Sequence, residues 1–425
     1  MAGAVIISEK GQGPARASLY GWLVFALSFG LLISDYMARQ VLNAVFPLLK
    51  SEWHLTDAQL GLLSGIVAIM VGLLTFPLSL AADRWGRAKS LALMAILWSL
   101  ATLFCSIAQS FPAMLLGRAL VGVGEAAYGS VGIALVISVF PQRLRATLSA
   151  AFMAGGLFGQ VLGVALGGQI AAAHGWRPAF MVIGVSGLVL GLLYPLFVRD
   201  QKIAEIAGTS GAPSASLRLG ALKQLFASRS VKLAYLGSGL QLFAAGALPA
   251  WLPSYFNRYY HLPLDQAGQR AAVLLLICGV GMILCGILSD RMTRSRPENK
   301  IRLAMFYSLG TAASLVFAFA LPAGPAQMML LALAMLLVAA TTGPAGAMVA
   351  NLTPLALHGS AFATLTLANN VIGLAPGPIL TGRFADSFGL LGALHLLAIP
   401  CLLAALVFAL MQRSYLADLR PNADV

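Results

Sequence analysis

Long apolar stretches separated by short polar loops run through the whole of this sequence. A bilayer core about 30 Å thick requires about 20 apolar residues of helix to cross it. Because every backbone polar group in lipid must be hydrogen-bonded within the protein, long runs without polar and apolar alternation favour helices over barrel strands. The sequence therefore predicts an all-α polytopic membrane protein with twelve spans, at residues 19–45, 57–82, 88–109, 112–139, 143–172, 176–198, 231–257, 266–289, 301–322, 326–351, 360–384 and 390–412.

Composition excludes several other classes. Hydrophobic residues make up 59% of the chain and charged residues only 10%, against about 25% charged in soluble domains. The net charge of +13 could suit nucleic acid, but the basic residues lie in short loops rather than on one continuous face. The four cysteines lie in apolar stretches, and the five histidines lack metal-ligand spacing. We expect no metal, no cofactor other than a coupling proton, and no nucleic-acid partner; the absence of a phosphate-binding loop disfavours ATP-driven transport.

Basic residues also predict the orientation. Twenty of the 27 lysines and arginines fall on one side if the amino terminus is cytoplasmic. Since positive loops stay in the cytoplasm, we predict a multi-pass protein of the inner (cytoplasmic) membrane with both termini inside. The polar start before the first span does not resemble a cleavable signal peptide.

The longest polar interval divides the predicted spans into two sets of six. We predict a tail at 1–18, a six-helix bundle at 19–198, a linker at 199–230, a second bundle at 231–412 and a tail at 413–425. An Asp-Arg pair ends the second span at Asp83 and recurs 207 residues later at Asp290, with an arginine three residues after each pair's arginine. Gly168 to Gly175 is echoed by Gly382 to Gly389. Pseudo-symmetric repeated halves are typical of secondary transporters.

The charged loop motif and an element of the fourth span carry a family resemblance. Ser79-Leu-Ala-Ala-Asp83-Arg84-Trp-Gly86-Arg87-Ala-Lys89 is similar to the signature loop of the major facilitator superfamily. Arg118-Ala-Leu-Val-Gly122-Val-Gly124-Glu125-Ala126 is similar to that family's Arg-x-x-x-Gly-x-Gly element. The chain therefore resembles this superfamily over nearly its whole length.

Two groups of the superfamily share further features with the chain. Spinster-type lipid carriers and symporters of organic anions such as hexuronate and galactonate have Asn-Tyr-x-Asp-Arg in the first span. Here Tyr36 and Arg39 match, Ala38 stands at the Asp position and Asp35 at the Asn position. The start of the second span, Leu55-Thr-Asp-Ala-Gln-Leu-Gly61, is more similar to bacterial Spinster-type sequences.

Four ionisable residues lie inside predicted spans, where each costs at least about 2.5–3.5 kcal/mol unless paired or hydrated. Asp35 and Arg39 share one face of the first span, and Arg118 and Glu125 share one face of the fourth. The resemblance implies that both faces line the central cavity. We hypothesise that Glu125 is the main proton acceptor, that Arg118 tunes it or binds an anionic group, and that Arg39 is a second anion contact. In this hypothesis Asp35 is the counter-ion of Arg39 and a second candidate for proton coupling. The alternative is that both pairs only fix helix packing.

Other polar and aromatic residues complete the predicted site. Candidate cavity contacts are Tyr36, Tyr128, Gln241, Trp251, Asn369 and Asn370. Candidate gating residues, which would latch cytoplasmic helix ends in an outward-facing state, are Asp83, Arg84, Gly86, Arg87, Asp290 and Arg291. In that latch Asp83 would accept from the backbone at a neighbouring helix start; plain positive-inside topology is the alternative. Four glycines spaced by four residues, beginning at Gly155, predict a face that another helix approaches closely.

These features predict a transporter rather than an enzyme. We expect a monomeric secondary carrier, embedded in the lipid bilayer, that moves a small anionic or amphipathic organic solute by alternating access with proton coupling. One alternative is a proton-driven exporter of drugs or lysolipids. An alternative of another class is a membrane sensor or enzyme on a carrier fold.

Overall fold

A computed structural model describes residues 19–207, 225–226, 228–293, 298–354 and 357–419. The predicted amino-terminal tail, most of the predicted linker and the last residues of the predicted carboxyl-terminal tail lie outside this part. Regular structure in the described residues is helical throughout. The helices are α1 (Leu19–Ala44), α2 (Phe46–Trp53), α3 (Asp57–Trp85), α4 (Arg87–Ile107), α5 (Phe111–Glu125), α6 (Tyr128–Ser138), α7 (Gln142–His174), α8 (Trp176–Phe197), α9 (Asp200–Ala207), α10 (Arg229–Tyr259), α11 (Leu264–Thr293), α12 (Asn299–Ala320), α13 (Pro325–Val338), α14 (Thr342–Leu352), α15 (His358–Ala368), a π-helix (Asn369–Leu374), α16 (Pro376–His395) and α17 (Ala398–Leu419).

These helices confirm the predicted all-α membrane fold. Eleven segments are long and apolar enough to cross a membrane, with α5 and α6 forming one of them and α13 and α14 another. The remaining predicted span, 360–384, is the consecutive run of α15, the π-helix and α16. Pro376 has no N–H to continue the regular ladder, and the Ala375 N–H reaches back five residues to the Asn370 carbonyl at 2.9 Å. This span is therefore broken near its middle.

Two ends of the bundle are distinguished by the loops they carry. The basic end carries the loop at 83–89 and residues 199–202, 290–293 and 298–302; the far end carries residues 45–57, 258–264 and 386–398. We refer to residues 19–207 as the first half and to residues 228–419 as the second half.

The halves meet where small residues allow close backbone approach. α3 packs against α16, and α7 packs against α11. A Cβ built at Gly65 would lie 2.6 Å from the Ala375 carbonyl oxygen, and one at Gly268 would lie 2.8 Å from the Val164 carbonyl oxygen. Side chains larger than glycine at either position would push the halves apart.

The four-residue glycine repeat of α7 has a different neighbour. Gly155, Gly159, Gly163 and Gly167 face α1, in the same half, where added Cβ atoms would meet residues from Phe29 to Ala44. The predicted close helix approach is present, but it fixes packing inside the first half and does not form the surface between halves.

Candidate functional site

The centre of the first half holds an ion pair between α1 and α5. The Arg39 guanidinium donates to Glu125 Oε2 through Nε at 2.9 Å and through a terminal nitrogen at 2.7 Å. The Glu125 side chain is fully buried, whereas the Arg39 side chain is 22% exposed. The guanidinium also lies over the ring of Tyr36, 5.3 Å from its centroid. Arg39 and Tyr36 are thus partly accessible members of a mostly buried cluster.

A second carboxyl group lies beside this pair. Asp35 is 4% exposed, and its carboxyl contacts that of Glu125. Within the described residues, Asp35 Oδ1 and Glu125 Oε1 have no hydrogen-bond donor. The predicted ion pair of Asp35 with Arg39 is wrong, because Arg39 turns its hydrogen-bonding edge towards Glu125 instead.

Arg118 is held by backbone carbonyls rather than by a carboxylate. It is fully buried, and its guanidinium donates to the carbonyl oxygens of Ala38 at 2.8 Å, Arg39 at 3.0 Å and Leu63 at 3.3 Å. The prediction that Arg118 tunes Glu125 or binds an anionic group stays a prediction, although in this structure the guanidinium is directed to carbonyl oxygens. The side chain points between α1 and α3 and ties both helices to α5, which is the packing role given above as the alternative.

Two of the predicted aromatic walls are also buried in helix contacts. Tyr128 donates to the Ser28 carbonyl at 2.8 Å, and its ring packs edge-on against that of Trp98 with the ring centroids 4.9 Å apart. Trp251 is fully buried, and its indole N–H donates to the Pro378 carbonyl at 3.2 Å. Its ring packs against that of Phe46 in the first half, with the ring centroids 5.2 Å apart. Of the three aromatic candidates, Tyr36 alone remains partly exposed.

The polar candidates of the second half bind other helices. Gln241 donates to the Thr311 hydroxyl and to the Val338 carbonyl, both at 3.1 Å, and so joins α10 to α12 and α13. Asn369 accepts from the Ser238 hydroxyl at 2.8 Å. Asn370 donates to the Thr366 carbonyl one turn earlier at 2.9 Å, beside Gly72 of the first half.

At the basic end the loop motif is arranged differently from the prediction. Asp83 accepts from Arg87 at 3.1 Å within the loop. The start of α4 is instead capped by Asp200, whose carboxylate accepts from the backbone N–H groups of Ala88 at 2.8 Å and Lys89 at 3.3 Å. Gly86 has φ +104°, and a Cβ there would lie 2.5 Å from Asp200 Oδ2, so this position requires glycine.

The other gating candidates show no latch in this structure. Arg84, Asp290 and Arg291 are exposed, and none of the ion pairs among the described residues includes them. The gating prediction, which concerns an outward-facing state, stays a prediction.

Four residues at the far end, which we call the far-end bridge, join the halves: Lys50, Asp57, Arg258 and Asp386. Asp57 accepts from Lys50 at 2.6 Å and from both terminal nitrogens of Arg258 at 2.9 and 2.7 Å. Asp386 accepts from the N–H groups of Asp57 at 2.7 Å and Ala58 at 2.9 Å. Among the described residues, every direct hydrogen bond that joins the two halves belongs to this bridge.

The far-end bridge was not predicted from the sequence. Asp57 directly follows Thr56, which forms a capping box with Gln59, and an acidic residue in a first helical turn is ordinarily explained by the helix dipole. The useful signal was the Gly382 to Gly389 echo, which places Asp386 just after the end of a predicted span.

A helical protein with two packed halves, a buried ion pair in one half and a polar closure at one end has the architecture of a polytopic membrane carrier. The family model described as Major Facilitator Superfamily matches residues 27–375. The chain belongs to this superfamily, which confirms the predicted resemblance.

Relatives and solved structures refine the comparison. The chain is 27% identical over 282 residues to a probable L-galactonate transporter of Escherichia coli, covering 63% of this chain and 61% of that protein. It is 27% identical over 293 residues to a sphingosine-1-phosphate transporter of Danio rerio, covering 64% of this chain and 57% of that protein. A crystal structure of a bacterial homologue of Spinster, inward-facing and unoccupied, matches with a TM-score of 0.85 at 20% identity over 95% of this chain and 99% of that one.

Proposed function

We propose that this protein carries a small organic anion across the membrane by alternating access, with protons as the coupling ion. The observation that supports this most directly is the Arg39 and Glu125 ion pair, in which a partly exposed guanidinium is neutralised by a fully buried carboxylate. A site of this kind can exchange its internal carboxylate for an external anion.

The carboxyl groups supply the proton site in this proposal. Asp35 and Glu125 are buried and in contact, while one guanidinium, that of Arg39, pairs with Glu125. Two adjacent carboxylates in a low-dielectric interior repel each other strongly, so such pairs share a proton. Arg118 does not relieve this repulsion by direct contact, because its donors are directed to three carbonyl oxygens.

Substrate and proton are linked through Arg39. An incoming carboxylate, sulfonate or phosphate would take the two N–H donors of Arg39 that now hold Glu125. Glu125, released in a buried position, would then bind a proton rather than remain an unpaired charge. Anion binding thus favours proton binding, and the two would cross together as symport.

The far-end bridge supports the alternating-access part of the proposal. It closes the far end, and the described hydrogen bonds include none between the halves at the basic end. With the basic end in the cytoplasm, as the distribution of lysine and arginine favours, the described state is inward-facing. Transport then requires the bridge to break while the basic end closes.

The size and chemistry of the substrate follow from the site and the relatives together. The names of two relatives include galactonate, a sugar acid, and sphingosine-1-phosphate, an amphipathic phosphate. Both are anions, which a guanidinium binds. The single accessible cation of the cluster, Arg39, favours one anionic group on the substrate.

Uptake by purified protein in proteoliposomes tests this function. We expect a labelled anion from a panel of sugar acids, sulfonates and amphipathic phosphates to accumulate when the interior is alkaline. Glu125→Gln should abolish accumulation driven by the proton gradient while retaining substrate exchange at equal pH. The matched control is Glu52→Gln, because Glu52 accepts from Trp176 and Arg177 at the far end, outside the buried cluster. Gradient-driven uptake that survives in Glu125→Gln, or fails equally in Glu52→Gln, would contradict the proton role.

A further inference from the structure

A groove of about 550 Å³ lies at the far end of the second half, apart from the charged cluster and the far-end bridge. Its two walls are single faces of α11 and α13, because the lining residues recur at helical spacing. The residues that form these walls are Arg270, Val273, Ile277, Pro325, Met328 and Ala332.

Polarity changes along the groove in one direction. Arg270 lies six residues into α11, about 9 Å along the axis from the helix start. Val273 and Ile277 follow it towards the bilayer centre, opposite Met328 and Ala332. The groove is therefore cationic near the membrane surface and apolar below, which is the order of headgroup and acyl chain in a lipid leaflet.

Arg270 is available to a ligand. It is exposed, and no ion pair among the described residues includes it. Its guanidinium carbon lies 5.6 Å from the centroid of the Tyr260 ring. That ring is fixed, because the Tyr260 hydroxyl donates to Gln327 at 2.7 Å and accepts from the Gly324 N–H at 3.2 Å. A guanidinium over a ring face can keep its in-plane N–H donors for a phosphate.

We propose that this groove binds an anionic phospholipid of the far-end leaflet, with its phosphate on Arg270 and one acyl chain between α11 and α13. The volume is within the range of about 300–1,000 Å³ for ligand sites. Charge complementarity selects an anionic headgroup, and the apolar walls select a chain rather than a soluble anion. This lipid is bound at the periphery and is separate from the transported solute.

Lipid binding measured by native mass spectrometry tests the headgroup contact. The purified protein is titrated with phosphatidylglycerol or with phosphatidylcholine of the same chain length. We expect tighter binding of phosphatidylglycerol, and Arg270→Gln should reduce this preference about fivefold, the effect of one basic residue near a membrane surface. The matched control is Arg383→Gln, since Arg383 is an exposed arginine on α16 towards the same end that does not line the groove.

A second variant tests the acyl-chain contact. Ala332→Phe fills the apolar part of the groove and should weaken binding of both lipids while Arg270 is retained. Equal losses in Arg270→Gln and Arg383→Gln would show a general surface-charge effect and overturn the proposal. Unchanged lipid binding in Ala332→Phe, or displacement of phosphatidylglycerol by inorganic phosphate, would also overturn it.

Discussion

The two halves share a fold plan but differ in what they bury. Asp35, Asp57, Arg118 and Glu125 are the buried charged residues of the described chain, and all four belong to the first half. The second half buries neutral polar groups such as Gln241, Ser238 and Asn370. Charged groups can take up protons or bind anions with a full charge, whereas amides and hydroxyls do not titrate near neutral pH and offer anions only neutral hydrogen bonds. Under the proposed function, the proton and anion chemistry would therefore lie in the first half, and the second half would move against it.

The largest effect on stability is expected when Arg118, in the first half, is replaced. Arg118→Met removes a charged donor from three buried carbonyl oxygens, and hydrogen bonds to charged groups contribute about 1.5–3 kcal/mol each. We expect a loss of about 3 kcal/mol or more in the free energy of unfolding, seen as a large drop in melting temperature in detergent. An unchanged melting temperature would remove the packing role given to Arg118.

Substrate binding should be next in size. Arg39→Lys keeps the charge but loses the planar fork that holds two N–H donors towards Glu125. We expect the apparent affinity for the anion to fall about tenfold, or about 1.4 kcal/mol, with little change in melting temperature. Arg177→Lys is the control and should leave affinity for the anion nearly unaltered, because Arg177 pairs with Glu52 at the far end, outside the bridge. Equal losses in both variants would place the anion contact outside the first-half cluster.

Weakening the far-end bridge should have a smaller effect, on the equilibrium between the two conformations. Asp386→Asn removes a charge from the start of α3, an interaction of about 0.3–1 kcal/mol that would shift the two conformations up to about fivefold. Distances between spin labels at Ser51 and Gln266, on exposed far-end surfaces of opposite halves, should lengthen. Asp200→Asn removes the same kind of cap inside the first half, so a similar shift in that variant would contradict the bridging role.

The smallest effect is expected at Gln241. Gln241→Leu removes two neutral hydrogen bonds and leaves the Thr311 hydroxyl with its own carbonyl partner, Tyr307. We expect a loss of about 1 kcal/mol in the free energy of unfolding. Destabilisation as large as that of Arg118→Met would mean that the two interiors do not differ in the way proposed.

The span positions could be predicted because membrane thickness sets a length that the sequence must satisfy. The first span was predicted at 19–45, and α1 covers Leu19–Ala44. The presence of a buried charged cluster near Arg39 and Glu125 could also be predicted, since charges at bilayer depth are costly unless they are paired or hydrated.

The pairing of these charges could not be predicted. Helical spacing shows which residues share a face of one helix, but it does not fix how that helix is rotated against its neighbours. Arg39 therefore binds Glu125, 86 residues away, rather than Asp35 on its own helix. The contact of Asp57 with Asp386 joins residues 329 apart, and local patterns carry no information about such a pair.

The far-end bridge has a consequence for how mutations accumulate. Asp386 contacts main-chain N–H groups, which every amino acid except proline supplies. Substitutions of side chains at the beginning of α3 would therefore leave the hydrogen bonds between Asp386 and the main chain in place. Ala58→Pro would delete one of the two donors in the first turn of α3, where the N–H has no partner within the helix. This one substitution would weaken the far-end bridge without altering any charge.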